Sequence, residues 1–384
     1  MHTVTLKPIH EVAKYKKAQI PANIPETYAI KPIYENIANA EEIRSGVVAF
    51  RDFLYTLFDR LATDGHDYAK PPKKPGGMSD YPFLHYLTNI LVEIGYYGEL
   101  AGSGTLAVAR LPLATPSEDA DGKKRSAKIP STSLVECMKF LAICGFSFML
   151  RAGSQDSTEL SEDSFQDIKK PNIANILPLE VSYPDNPALL VGLKALAVAD
   201  IERRSGPRVY WNDHNLLRCN YRPLMANEPS IYDELKDFLQ PLPKDVQAVA
   251  LKLHERYTGK GLTCTQSILD DTSYSYAHIS KANMDLPARS KYQKRIWAFS
   301  YSMRHGYSLF VRAKKTDKYA DVIKTFPQGL QEIISQGYGC YRKMGGSICQ
   351  VDCQGIRIPL DESLLAIAGY IEMLLDNEMP SSLK

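Results

Sequence analysis

Two nine-residue segments of the chain resemble each other, and they constrain the fold more than any other feature. CGFSFMLRA begins at Cys144 and HGYSLFVRA begins at His305, which gives an offset of 161 positions (305 minus 144). Four of the nine letters are identical, and the same offset relates Tyr96 to Tyr257. Because one offset relates two separate places, the sequence predicts that the chain contains two related units.

Each segment has the pattern of a glycine between a helix and a strand. In the second segment, residues 292–303 carry apolar side chains at helical spacing, and Gly306 is expected to end that helix. The letters after Gly306 alternate as in a strand, and the first segment repeats the arrangement around Gly145. The predicted fold is α+β, with two related units after an N-terminal helix. Each unit is expected to be a small, mostly antiparallel sheet packed with helices.

The length of the chain and its proline- and glycine-rich segments suggest where these units begin and end. At 384 residues the chain exceeds one typical core. The first forty residues contain four prolines and are expected to form an extended lead-in, whereas residues 41–61 have a helical pattern. KPPKKPGG, from Lys70, is typical of a linker. The expected divisions are residues 1–78 for the lead-in, helix and linker, then 79–241 and 242–384 for the two units.

The bulk composition is that of an ordinary globular protein. A formal net charge of +2 and a hydrophobic content of 44% do not require a polyanionic partner. The longest mostly apolar run, residues 140–150, is about half as long as a membrane-spanning helix. The first twelve residues lack the apolar core of a signal peptide. We therefore expect a soluble, cytoplasmic protein without a membrane partner.

Three of the seven cysteines lie close together and are candidate metal ligands. Cys340, Cys349 and Cys353 can place three thiolates around one zinc or iron ion, and the glycines between them allow the loop to fold back. A fourth ligand would have to come from elsewhere, and no paired CxxC motif is present. The alternative is a loop with free thiols. Zinc is therefore a possible cofactor that the sequence leaves open.

A second candidate is the basic and aromatic segment 289–318. It contains nine lysines and arginines but a single acid. Such a mixture can bind phosphates by charge and bases by stacking, or it can bury its aromatic rings and expose its charges. The predicted ligand-binding residues are Lys291, Lys294, Arg295, Trp297 and His305.

Arg312 belongs to the same prediction for a separate reason. It is expected to share a strand face with Ser308, four positions earlier, as Arg151 does with Ser147. The planar fork of an arginine binds carboxylates and phosphates, although an arginine in this position can also pair with an acid on a neighbouring helix.

No catalytic motif is complete. His254–Glu255 lacks the second histidine of a zinc-protease helix, and GYYGELAGSG has neither the lysine of a phosphate loop nor the spacing of a dinucleotide fingerprint. The sequence therefore favours a non-enzymatic binding protein for an anionic ligand or a metal ion, held in the second unit. A nucleic-acid-associated module and an enzyme with an unrecognised site are the alternatives.

Overall fold

The computed structural model divides the chain into two compact units, Met1–Glu228 and Pro229–Lys384. The residues that it describes are 5–75, 78–102, 104–114, 117–118, 124–125, 128–152, 156–160, 177–202, 216–227, 229–268, 272–279, 295–313, 316–336 and 355–383. Both units contain an antiparallel sheet and several helices, which confirms the α+β class.

The first unit has one five-stranded sheet. Its helices are α1 (Ile9–Lys17), α2 (Ala40–Tyr68), α3 (Pro82–Tyr97), α4 (Ser131–Ile143) and α5 (Ala188–Glu202), with 3₁₀ turns at Pro32–Tyr34, Leu216–Arg218 and Arg222–Leu224. Its strands are β1 (Gly98–Ala101), β2 (Thr105–Val108), β3 (Ser117–Glu118), β4 (Lys124–Arg125), β5 (Ser147–Ala152), β6 (Asp156–Leu160) and β7 (Leu179–Ser182). The sheet order is β1-β2-β7-β5-β6, all antiparallel, and β3 pairs separately with β4.

Helices α2 and α5 cross at a pair of glycines. Asn39 caps α2, since its side chain accepts the amides of Glu41 and Glu42. The apolar side chains at helical spacing along it are buried: Val47, Phe50, Leu54 and Leu57. At the crossing, a Cβ on Gly192 would lie 2.0 Å from the carbonyl oxygen of Gly46. Only glycine permits so close an approach of two helix backbones.

The second unit also has one five-stranded sheet. Its helices are α6 (Ile231–Leu239), α7 (Lys244–Gly259), α8 (Ala320–Ile323), α9 (Gln328–Gln336) and α10 (Ser363–Glu378), with 3₁₀ turns at Thr316–Tyr319 and Ser381–Leu383. Its strands are β8 (Thr263–Ile268), β9 (Thr272–Ala277), β10 (Arg295–Ser302), β11 (Gly306–Val311) and β12 (Ile356–Pro359). The order is β12-β11-β10-β9-β8, again antiparallel throughout.

One face of this second sheet forms the core of its unit. Trp297 and Phe299 of β10 lie opposite Tyr276 and Tyr274 of β9, and all four rings are buried. The rings of Tyr276 and Trp297 stack with their centroids 3.6 Å apart. Helices α6, α7, α9 and α10 supply the apolar side chains that cover this face. The opposite face of the same strands is therefore left for other contacts.

Ion pairs join α7 to α10 beside this core. The guanidinium of Arg256 donates to Glu372 at 2.6 Å and to Asp376 at 2.7 Å. Lys260 and the hydroxyl of Tyr257 also donate to Asp376, at 2.6 Å and 3.0 Å. The five side chains form one partly buried network, which fixes how the two helices lie against each other.

The predicted corner of helix, glycine and strand is confirmed in the first segment and wrong in the second. Helix α4 ends before Gly145, whose φ is 102°, and β5 follows. In the second segment, the helix expected for residues 292–303 is instead strand β10. Alternation of Trp297 and Phe299 with small residues matches a sheet that has neighbours on both sides. Gly306, with a φ of 58°, opens the second strand of a hairpin.

Two further differences concern the N-terminal part of the chain and the division into units. The lead-in expected to be extended is wrong for residues 9–17, which form α1 and pack against α2. The units meet at residues 228 and 229, whereas the sequence divides the chain after residues 78 and 241. The reason is packing: α2 lies against α5 in the first unit, and Leu235 and Leu239 of α6 belong to the core of the second. Among the described residues, no helix has the length and apolar character that a membrane crossing requires.

Candidate functional site

The face of the second sheet that points away from the aromatic core carries hydroxyl and guanidinium groups. Alternation along β9, β10 and β11 places side chains on this face two residues apart. We call the following set the arginine–serine face: Ser273, Ser275, Arg295, Ser300, Ser302, Ser308, Phe310 and Arg357. All of them except Arg357, which is half-buried, are buried.

Arg357 reaches across two strands to hydroxyl groups. Ser300 lies in register with Ser273 on one side and with Ser308 on the other. The hydroxyl oxygens of Ser300 and Ser308 are 3.1 Å apart, and Nη1 of Arg357 donates to them at 3.0 Å and 3.4 Å. Arg357 belongs to the edge strand β12, but its side chain extends inward. Its positive charge therefore lies over the middle of the sheet.

A second guanidinium meets the same cluster at Phe310. The carbon Cζ of Arg295 lies 4.0 Å from the ring centroid, and that of Arg357 lies 5.2 Å from it. A Cβ on Gly355 would lie 2.2 Å from this ring, so the backbone before β12 packs directly against it. The ring is thereby fixed, and it holds two positive charges near one point of the face.

The turn between β10 and β11 adds further polar groups. The backbone amide of His305 donates to the hydroxyl oxygen of Ser302 at 3.2 Å. Partial burial of the imidazole, together with the positive charges of Arg357 and Arg304, lowers the pKa of His305 to about 4. The ring is therefore neutral at pH 7, and the local potential is positive.

The sheet of the first unit carries carboxylates on the face that points away from its core. Glu99, Ala107 and Glu180 are register neighbours on β1, β2 and β7, and Met149 continues the row on β5. The next row of the same face carries hydroxyl groups, as the second sheet does, from Thr105, Ser182 and Ser147. The carboxylates of Glu99 and Glu180 are therefore what distinguishes the first sheet, and they disfavour an anion there.

The structure brings together some of the residues predicted from sequence and separates others. Arg295 and His305 lie at the arginine–serine face. Trp297 lies on the opposite face, in the aromatic core. Arg312 is buried directly after β11, and its backbone amide donates to the carbonyl of Ile296 at 2.7 Å. The remaining predicted residues lie outside the described residues: Lys291, Lys294, Cys340, Cys349 and Cys353.

Seven residues of the face were not predicted to bind a ligand: Ser273, Ser275, Ser300, Ser302, Ser308, Phe310 and Arg357. The sequence does contain a signal for one of them. GIRIP, residues 355–359, has the alternation of a short strand, and in it the arginine alternates with two isoleucines that face the core. The serines could not be found in this way, because their partners come from neighbouring strands.

Other buried polar groups are also present. Nδ1 of His254 lies 2.7 Å from the hydroxyl of Tyr276, and burial lowers the pKa of this histidine. For the thiol of Cys264, burial has the opposite effect and raises the pKa to about 12. The thiol therefore stays protonated and is a poor nucleophile. In the first unit, Glu93 accepts the amide of Leu113 at 2.8 Å, and burial raises the pKa of this carboxyl to about 8.

No metal-binding group of three or more histidine, cysteine, aspartate or glutamate side chains occurs among the described residues. The predicted cysteine cluster lies outside them. Comparison of the chain with models of known protein families, with curated proteins and with solved structures gives no match.

Proposed function

We propose that the chain is a non-enzymatic binding protein for a small anionic ligand, held at the arginine–serine face. One observation carries the proposal. The guanidinium groups of Arg295 and Arg357 converge on Phe310, next to the paired hydroxyls of Ser300 and Ser308. Guanidinium and hydroxyl donors in one place are the groups with which proteins bind carboxylates and phosphates.

Electrostatics supports the same assignment. Arg304 and Arg357 both lower the pKa of His305, so the rim of the face is positive. Arg304 is exposed, whereas Ser300 and Ser308 are buried. An anion approaching the rim would therefore meet positive charge first and then donors in a drier environment, where each charged hydrogen bond is stronger.

Calorimetric titration with inorganic phosphate and with acetate tests the proposal. We expect binding of at least one of the two, and we expect Arg357→Gln to weaken it roughly 10-fold or more, since a hydrogen bond to a charged group contributes about 1.5–3 kcal/mol. Arg304→Gln removes an exposed charge near the same rim and should weaken binding to a smaller extent. Circular dichroism of each variant checks that it is folded.

Arg60→Gln is the matched control. Arg60 is an exposed arginine of the first unit, 3.6 Å from Asp64, so the variant removes the same charge from the other unit. Its affinity should equal that of the unaltered protein. The proposal is wrong if neither anion binds, or if Arg60→Gln and Arg357→Gln weaken binding equally.

The nucleic-acid alternative makes a different prediction. Base stacking requires accessible rings, but Trp297 and Phe310 are buried. Retention on a heparin column that falls steeply with salt would favour this alternative. A metal ion at Cys340, Cys349 and Cys353 is the other ligand that the sequence allows, and it is independent of the arginine–serine face.

The common origin of the two units is also a proposal. Their repeated segments both contribute the fourth strand of a five-stranded sheet, counted from the hairpin β1-β2 or β8-β9. The neighbouring strands come in a different chain order, because β7 follows β5 whereas β10 precedes β11. Homologous chains that keep the 161-residue offset at both places would support duplication, and chains that lose it at either place would oppose it.

A further inference from the structure

One buried hydroxyl on the arginine–serine face lacks a hydrogen bond. Ser275 is 5% exposed, and its hydroxyl oxygen has no partner among the residues that the structure describes. Its register neighbour on β10 is Ala298, which offers only a methyl group. A buried hydroxyl without a partner costs about 1–3 kcal/mol, so this position is suited to a polar group that the described residues do not supply.

The position of Ser275 relative to Arg357 indicates the size of that partner. Nη1 of Arg357 lies 3.0 Å from the hydroxyl of Ser300 on β10. Ser300 faces Ser273, and Ser275 is two residues further along the same strand, so Ser275 is a diagonal neighbour of Ser300. Diagonal neighbours are roughly 7–8 Å apart. A ligand that reaches both groups needs an anionic end and a hydroxyl group a few bonds away.

The residues between these two points are small. Ser273, Ala298 and Ser300 separate Ser275 from the guanidinium, and each is at most 6% exposed. Small side chains allow a ligand to approach the strands closely, and the serines can donate to or accept from a hydroxyl group. An alkyl chain would leave the hydroxyl group of Ser275 unpaired, whereas a hydroxylated chain would pair with it.

We propose that the arginine–serine face selects a small organic anion that carries hydroxyl groups, of the polyol phosphate or hydroxy acid class. The anionic group would bind at Arg357, and a hydroxyl group would pair with Ser275. This inference rests on the proposed function, because it names the ligand class for the same face.

Two pairs of probes, measured by calorimetric titration of the whole chain, test this selection. Glycerol 3-phosphate and propyl phosphate differ only in hydroxyl groups, and so do glycerate and propanoate. We expect the hydroxylated member of one pair to bind at least 10-fold more tightly than its counterpart. The pair that shows the preference identifies the ligand as a phosphate or a carboxylate.

Ser275→Ala is the decisive variant. It should reduce the preference to 3-fold or less and leave the affinity for propyl phosphate or propanoate unchanged. Because it removes a hydroxyl group without a partner among the described residues, it should not lower the midpoint of urea unfolding. Thr265→Ala is the control, since Thr265 is the exposed register neighbour of Ser275 on β8, and the preference should persist in it.

The outcomes separate the two proposals. Equal affinities within both pairs would refute hydroxyl selection and leave anion binding intact. Binding of none of the four probes would refute the proposed function as well. A preference that survives Ser275→Ala would show that Ser275 does not contact the ligand, and the assignment would be wrong.

Discussion

Replacing Gly192 with alanine should destabilise the first unit, although alanine is the better helix former. A Cβ at this position would lie 2.0 Å from the carbonyl oxygen and 2.2 Å from the carbonyl carbon of Gly46. These are backbone atoms of α2, so no side-chain rotation relieves the clash. Ordinary contact begins at 3.4 Å, so the helices must separate by about 1.4 Å (3.4 minus 2.0) at the crossing.

Two opposing effects set the magnitude. Alanine favours the helix by about 1 kcal/mol relative to glycine. Forcing a methyl group into a packed core typically costs about 1–3 kcal/mol, and more when backbone must move. Separation would also loosen the buried side chains on both sides, among them Val47, Phe50, Leu189 and Leu193. We expect a net loss of roughly 2–4 kcal/mol in the free energy of unfolding.

Urea unfolding followed by circular dichroism measures this change as a shift of the midpoint at constant slope. Gly369→Ala is the control, because Gly369 lies on the exposed side of α10 and a Cβ there meets nothing within 4 Å. That variant should gain about 1 kcal/mol. The double variant of Gly46 and Gly192 should lose less than the sum of the single changes, since one methyl group already separates the helices. A Gly192→Ala protein as stable as the original would refute this account of the crossing.

The other predictions concern a buried acid and the cysteine cluster. The pKa of Glu93 is raised to about 8, so the folded chain holds a proton that the unfolded chain releases above pH 4.5. Stability from this group is complete below that pH and is lost as the pH rises towards 8, by a few kcal/mol in total. Glu93→Gln should reduce the difference in the free energy of unfolding between pH 5.5 and pH 8, measured by urea unfolding. An equal difference in the variant and the original protein would contradict this prediction. If Cys340, Cys349 and Cys353 bind zinc, elemental mass spectrometry should detect it and a chelator should lower the melting temperature. Cys349→Ser should abolish both effects, whereas a metal-free protein would refute the site.

Local patterns identified those elements whose partners are close in sequence. The buried stripe of α2, the end of α4 before Gly145 and the short strand in GIRIP each depend on the spacing of a few side chains. Residues 292–303 show the limit of such patterns. Ile296, Phe299 and Met303 fit a helix, while Trp297, Phe299 and Tyr301 fit a strand, and only pairing with β9 and β11 decides between them.

The candidate site depends even more on distant partners. The excess of positive charge in residues 289–318 falls on the sheet that carries the candidate site, but it does not identify the residues that build the face. Arg357 is separated from Ser300 by 57 positions and from Ser308 by 49. Their contact is a consequence of strand order, which side-chain spacing within each segment does not encode.

The ion pairs between α7 and α10 bear on how the second unit folds during synthesis. Arg256 and Asp376 are 120 positions apart, and α10 also supplies buried residues to the core. The ribosome therefore releases α7 and the hairpin β8-β9 long before α10 can cover them. Their aromatic side chains, Tyr257, Tyr274 and Tyr276, can pack on Phe238 and Trp297 in that interval but lack the cover of α10. Part of the apolar surface of the second unit is therefore buried only when synthesis of the chain is nearly complete.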